Sequence, residues 1–168
     1  MNDTFAGRVE AWHDFYLFIG TAASTLVGLL FVALTLRSDV LKRDEFGASR
    51  TLARQSFACF LNLLTIAGVM LIPRPAPAGV GIPLVCIGGI SLLFTLRSMI
   101  SKRHQAEWRD LRTILRHTAL MLIGMGAVFG FGIALWAGQS SMLIWLTVAV
   151  LTLLYAASRN AWILLMDG

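Results

Sequence analysis

Two groups of titratable side chains have the spacing that brings them to one face of a helix. They are Glu10, His13 and Asp14 before the first apolar stretch, and His104, Glu107 and Asp110 before the fourth. Either group could offer hard ligands to a metal ion or an acid–base pair, but neither reproduces a metal-site signature. The chain also lacks a nucleophile elbow, a phosphate-binding loop, a paired-cysteine motif and a His-Glu zinc helix. We therefore expect no catalytic residue, no metal site and no cofactor, and a protein that is not an enzyme.

Four polar residues within the apolar stretches remain as candidates for function: Asn62, Thr65, Arg159 and Asn160. Proton- and cation-coupled transporters usually need intramembrane acids, but no Asp, Glu, Lys or His lies in the centre of any apolar stretch. Asn62 and Thr65 either face a pore or bond between helices, and an interhelical hydrogen bond is the favoured interpretation. Arg159 either reaches the lipid headgroups or contacts a cytoplasmic acid. The candidate acids are Asp39, Glu107 and Asp110.

Five apolar stretches must position these residues, because they fill most of the 168-residue chain. Hydrophobic residues make up 57% of the sequence and charged residues only 14%, which excludes an ordinary soluble domain. About 20 residues of helix span the hydrocarbon core of a bilayer. We therefore predict an all-α, polytopic transmembrane bundle that forms a single domain over 1–168. Its five helices are expected at about 15–36, 53–72, 80–98, 116–137 and 142–166.

The basic residues give a predicted orientation, since 12 of the 14 Lys and Arg residues fall on one side of these five helices. Segments 37–54 and 97–117 carry eleven of them and Arg159 is the twelfth, whereas Arg8 and Arg74 lie on the other side. The positive-inside rule places the N-terminus outside and the C-terminus in the cytoplasm. These cations are expected to attract anionic lipid headgroups on the cytoplasmic side, not nucleic acid. Cys59 and Cys86 then differ too much in depth to form a disulfide.

A short internal repeat links the two cytoplasmic connections. Segments 35–38 and 95–98 both read Thr-Leu-Arg-Ser, and each is followed by a Lys-Arg pair and then by an Arg-Thr sequence. Either the helical hairpins 1–2 and 3–4 are parallel duplicates, or inner-leaflet helix ends have converged on the same residue types. Duplication is the favoured interpretation.

Small residues recur at intervals of four on two predicted helices, where residues four apart share a face. The series are Gly20, Ser24 and Gly28 on the first helix, and Gly126, Gly130, Ala134 and Gly138 on the fourth. Such faces let two helix backbones approach closely, which is what helix association in lipid depends on. The partner could be another helix of the same chain or a second subunit.

The chain resembles a family of small, functionally uncharacterised bacterial integral membrane proteins. The likeness is carried by the Gly-Thr-Ala-Ala-Ser-Thr-Leu-Val-Gly-Leu-Leu-Phe-Val-Ala-Leu run of 20–34 and by Arg-Asn-Ala-Trp at 159–162. Some relatives carry a generic label as modulators of a membrane protease. The resemblance implies a multi-pass protein of the bacterial inner membrane and supplies no catalytic residue.

Two classes of function follow from these features. An oligomeric pore or channel-like assembly is favoured by the small size, the small-residue faces and the hydroxyl-bearing helices. The alternative is an accessory or regulatory subunit that docks onto a larger membrane complex, for which the same faces would be contact surfaces.

Overall fold

The computed structural model of the protein describes residues 5–36, 48–73, 76–103, 108–137 and 143–166, and all its regular structure there is helical. A short helix precedes five long ones. The elements are α1 (Phe5–Glu10), α2 (His13–Leu36), α3 (Ala48–Met70), α4 (Pro77–Arg103), α5 (Trp108–Trp136) and α6 (Leu143–Met166). Helices α2 to α6 are each long and apolar enough to cross a membrane. The predicted all-α bundle with five membrane-length helices is therefore confirmed.

The helix ends differ most from the prediction near the basic segments. α3 begins at Ala48, α4 continues to Arg103 and α5 begins at Trp108, so all three extend beyond the predicted ranges. The prediction stopped where the apolar residues stopped, but the helical backbone continues through the turns that contain Arg and Lys. The connecting residues 37–47 and 104–107 lie outside the described residues, and the first of these segments holds Arg37, Ser38 and the Lys42-Arg43 pair of the first copy of the repeat.

α1 was not anticipated from the sequence, and it packs onto the N-terminal end of α2. Val9 is buried, and Phe5 and Trp12 pack against the same core. The Tyr16 amide donates to the Trp12 carbonyl at 3.1 Å, which carries the backbone into α2 after a two-residue turn. The short helix thereby leads directly into α2 and adds Val9 to the buried core.

Four of the long helices form two hairpins, and the last long helix packs against both hairpins. α2 packs along α3, and α4 packs along α5, while α6 packs against both α3 and α5. Contact between the hairpins themselves is slight, limited mainly to a short stretch between α3 and α4. α6 is thus the element that joins the two halves.

The most buried of the five long helices are the least hydrophobic ones. The membrane-length parts of α3 and α6 are 44% and 50% buried and have the lowest mean hydropathy of the five helices. Those of α2 and α4 are only 17% and 22% buried and have the highest. A helix that faces lipid must be apolar on its outside, whereas a helix inside a bundle can carry polar groups that bond to its neighbours. The candidate polar residues Asn62 and Asn160 lie on the two most buried helices.

Candidate functional site

Asn62 joins the two hairpins by a side-chain hydrogen bond. Its Nδ2 donates to the Ser91 hydroxyl of α4 at 2.9 Å, and both side chains are half-buried. The same Nδ2 lies 4.0 Å from the Sδ atom of Met125 on α5, which is a weak acceptor. The favoured interpretation of Asn62 as an interhelical bonding residue is therefore confirmed, with Ser91 as the partner.

Thr65 does not share this role, although it lies one turn from Asn62. Its side chain is exposed, and its hydroxyl donates to the Leu61 carbonyl of its own helix at 2.8 Å. This local bond satisfies the hydroxyl without any other helix. The structure therefore separates the two polar residues that the sequence placed together.

Asn160 lies on α6 and is fully buried where this helix packs against its neighbours. Its Nδ2 donates to the Met121 Sδ atom of α5 at 3.5 Å, and its Oδ1 has no hydrogen-bond partner among the described residues. The Ser56 hydroxyl of α3 is likewise fully buried and without a partner in the described part of the chain. Burying an amide or hydroxyl group without a hydrogen bond costs free energy, so these two polar groups destabilise the apolar core around them.

Arg159 precedes Asn160 and is half-buried, with its Nε atom shielded by surrounding protein. A guanidinium that only reached the headgroups would be open to the surroundings at this atom. The proposed acidic partners Asp39 and Glu107 lie outside the described residues, as does the side chain of Asp110. Trp162, three residues later, is 62% exposed and suited to a membrane interface.

The first small-residue series divides between two environments. A Cβ placed on Gly20 would lie 3.2 Å from the Cβ of Ala67 on α3, so this glycine contacts the partner helix. Ser24 and Gly28 are exposed, and nothing lies within 4 Å of a Cβ placed on Gly28. Only the first member of the series therefore packs within the chain.

The second series faces away from the rest of the chain over the part that the structure describes. A Cβ placed on Gly126 or Gly130 would have open space within 4 Å, and Ala134 is half-buried. Gly138 lies outside the described residues. No described part of the chain therefore covers this face of α5 at Gly126 and Gly130.

The closest backbone contacts involve glycines that the interval of four did not identify. A Cβ on Gly88 would lie 2.9 Å from backbone atoms of Phe129, and one on Gly132 would lie 2.8 Å from the Val85 amide nitrogen. A Cβ on Gly81 would lie 3.1 Å from the Gly132 carbonyl oxygen. Gly81 and Gly88 are seven residues apart, which is two helical turns and again one face. An interval of seven residues is therefore the sequence signal that identifies Gly81 and Gly88.

The titratable groups near the chain surface do not converge on a ligand site. Glu10, His13 and Asp14 are all exposed. No set of three His, Cys, Asp or Glu side chains in the described ranges could hold a metal ion. His104 and Glu107 lie outside those ranges. Cys59 on α3 is a buried free thiol and Cys86 on α4 an exposed one.

Comparisons with known proteins add no family to this picture. No protein-family model, curated protein or solved structure matches the chain. The resemblance of residues 20–34 and 159–162 to small bacterial membrane proteins therefore stays a prediction. Any function has to be argued from the outward helix faces and the buried polar groups.

Proposed function

We propose that this protein is a small multi-pass protein of the bacterial inner membrane that assembles with copies of itself into a pore or channel-like oligomer. One observation carries the proposal: α2 and α5 each expose a row of glycine and other small residues among the large apolar side chains that lipid favours. The N-terminus is placed outside and the C-terminus in the cytoplasm by the distribution of Lys and Arg.

The outward face of α2 is defined by Thr21, Ser24, Thr25 and Gly28, all of which are exposed. The opposite side of the helix buries Tyr16, Ile19, Ala23 and Leu30 toward the core. The exposed surface of α2 also carries large apolar side chains, such as Leu17 and Phe31, so the small residues form a row within an apolar surface. Small side chains lower the distance at which another helix can pack, and packing is the main source of helix association in lipid.

The outward face of α5 is defined by Gly126, Gly130 and Ala134, with exposed Ala127 beside them. α2 and α5 do not pack extensively against each other, so the two faces are separate surfaces. A molecule with two unlike contact surfaces can join a neighbour on each side, and such head-to-tail contacts close into a ring when the rotation permits. A ring of helical subunits is the geometry that a pore requires.

The test is the mass of the protein in mild detergent, measured by native mass spectrometry for wild type, Gly28→Leu and Gly130→Leu. We expect wild type to form a defined oligomer and both variants to fall mainly to single chains, because leucine forces the neighbouring backbone away. The protomer should keep its helix content and thermal stability, since a Cβ placed at either position meets no other helix of the described chain within 4 Å. Leu120→Ile is the control, because it replaces one apolar side chain by another of the same size and leaves Gly28 and Gly130 in place.

A wild-type protein that runs as a single chain, or two glycine variants with unchanged mass, would contradict the oligomer. An oligomer that shows no ion flux in vesicles would contradict the pore while leaving self-assembly in place. These outcomes separate assembly from conduction.

The accessory-subunit alternative is favoured by how the α2 hydroxyls are bonded. Thr21 donates to the Leu17 carbonyl, and Ser24 and Thr25 both donate to the Thr21 carbonyl, each at 2.9 Å. Hydroxyls bonded to their own helix present a smooth contact surface, whereas a pore lining would use them to contact water or ions. A single-chain mass combined with tight assembly onto a larger membrane complex, lost in Gly28→Leu, would establish this second role.

A further inference from the structure

The two hairpins meet at a seam between α3 and α4 that is packed more weakly than the helix pair within either hairpin. α3 and α4 contact each other only over a short stretch, while α2 with α3, and α4 with α5, pack along their lengths. In the second hairpin, Gly88 and Gly132 bring the helix backbones almost into contact. Each hairpin is therefore a compact unit, and the α3–α4 seam is where the units can part.

Polar side chains are concentrated along this seam. Asn62 of α3 and Ser91 of α4 form the 2.9 Å hydrogen bond across it. Thr95 lies one turn beyond Ser91, is half-buried, and donates to the Ser91 carbonyl at 2.8 Å. Gln55 lies two turns before Asn62 and is also half-buried. Consecutive helices joined by a short connection run in opposite directions, so Gln55 and Thr95 lie toward the same end of the bundle.

The bond at Asn62 has a specific energetic consequence in this position. Asn62 lies near the middle of the membrane-length segment Ala53–Met70, where little water is available to replace a lost partner. Its other neighbour, the Met125 Sδ atom, is 4.0 Å away and accepts hydrogen bonds weakly. Ser91 is therefore the strong acceptor that this amide has when the seam is closed.

We propose that the Asn62–Ser91 hydrogen bond is a latch that holds the two hairpins together, and that its release opens the α3–α4 seam. α6 is the hinge, because it packs on α3 in the first hairpin and on α5 in the second. The Cys59 thiol donates to the Leu153 carbonyl at 3.5 Å across the α3–α6 contact, which stays closed in this motion. The latch operates whether the protein is a pore or an accessory subunit.

The experiment measures the rate at which N-ethylmaleimide labels a cysteine placed in the seam. The protein is Thr95→Cys in a Cys86→Ala background, purified in mild detergent, with labelling at position 95 and at native Cys59 separated by mass spectrometry. Asn62→Ala and Ser91→Ala should each raise the rate at position 95 about three-fold, as expected for an average interhelical hydrogen bond in a membrane protein. The double variant should show the same rise as either single variant, because both remove one bond.

Two controls identify the source of any change. Thr65→Val removes a hydroxyl that bonds only to the Leu61 carbonyl of its own helix, and the rate at position 95 should not change. Cys59 is 1% exposed and should remain protected in every variant if the α3–α6 contact stays closed. An unchanged rate in both single variants, multiplicative effects in the double variant, or labelling of Cys59 in parallel with position 95 would each overturn the latch.

Discussion

Gly28 and Gly88 stand at matching places in the two hairpins but have opposite surroundings. Each lies seven residues before a copy of Thr-Leu-Arg-Ser, at Thr35 and Thr95. A Cβ on Gly28 would meet nothing within 4 Å, whereas one on Gly88 would lie 2.9 Å from the Phe129 backbone. Matching sequence positions therefore point outward in the first hairpin and inward in the second.

The two hairpins are held together by different kinds of contact. In the first, large side chains fill the space between α2 and its neighbours, and Tyr16, Ile19, Leu63 and Ile66 are all fully buried. In the second, glycines remove side chains from the interface and the backbones approach directly. Dispersion contacts stabilise both arrangements, but only the second depends on the absence of a Cβ. A shared sequence pattern at the helix ends does not fix how the helices rotate against each other.

The largest expected effect is in the second hairpin. Gly88→Ala should lower the free energy of unfolding by about 1–3 kcal/mol, because the new methyl group meets rigid backbone atoms of Phe129. The measurement is thermal unfolding of the purified protein in mild detergent, followed by circular dichroism. Gly126→Ala is the matched control, since its new methyl group has open space within the chain. Equal stability of the two variants would mean that the glycine contact does not hold α4 to α5.

A smaller effect is expected on α6, the helix that both hairpins share. Arg159→Lys and Arg159→Ala should both weaken assembly and lower stability by about 1 kcal/mol, within the range measured for polar contacts between membrane helices. The planar fork of Arg159 can make two parallel bonds that a lysine ammonium cannot reproduce, and its shielded Nε atom supports a fixed position. Oligomer mass and thermal unfolding of both variants are the measurements. Wild-type behaviour of Arg159→Lys would assign this residue to membrane anchoring.

The sequence predicted the membrane-length helices well because their signal is the length and apolarity of each stretch, which no neighbour alters. It also predicted that Asn62 bonds between helices, since a buried amide in lipid needs a partner. It could not say that Ser91 is that partner, because this depends on how α3 and α4 rotate against each other. The same limit explains Gly28 and Gly130, whose spacing predicts a packing face but does not say whether the face turns inward. The interval of four did not identify Gly81 and Gly88, because these two glycines of α4 are seven residues apart. It did not identify Gly132 either, because this glycine lies on α5 and its close contacts are with α4.

The smallest expected effect is that of Gly20→Ala, and it tests most directly whether the two hairpins differ in their dependence on glycine contacts. Gly20 is the first hairpin's own glycine contact, with a Cβ placed on it 3.2 Å from the Ala67 Cβ. Here the neighbour is a single methyl group, so a shift of a few tenths of an ångström relieves the contact. The gain in helix propensity on replacing glycine by alanine, about 1 kcal/mol at most, offsets that adjustment. Gly20→Ala should therefore stay within about 0.5 kcal/mol of wild type in the same unfolding measurement, and Gly28→Ala, with open space, should be neutral or slightly more stable. If Gly20→Ala instead lost as much stability as Gly88→Ala, both hairpins would depend on glycine contacts, and the difference between the two kinds of packing would not hold.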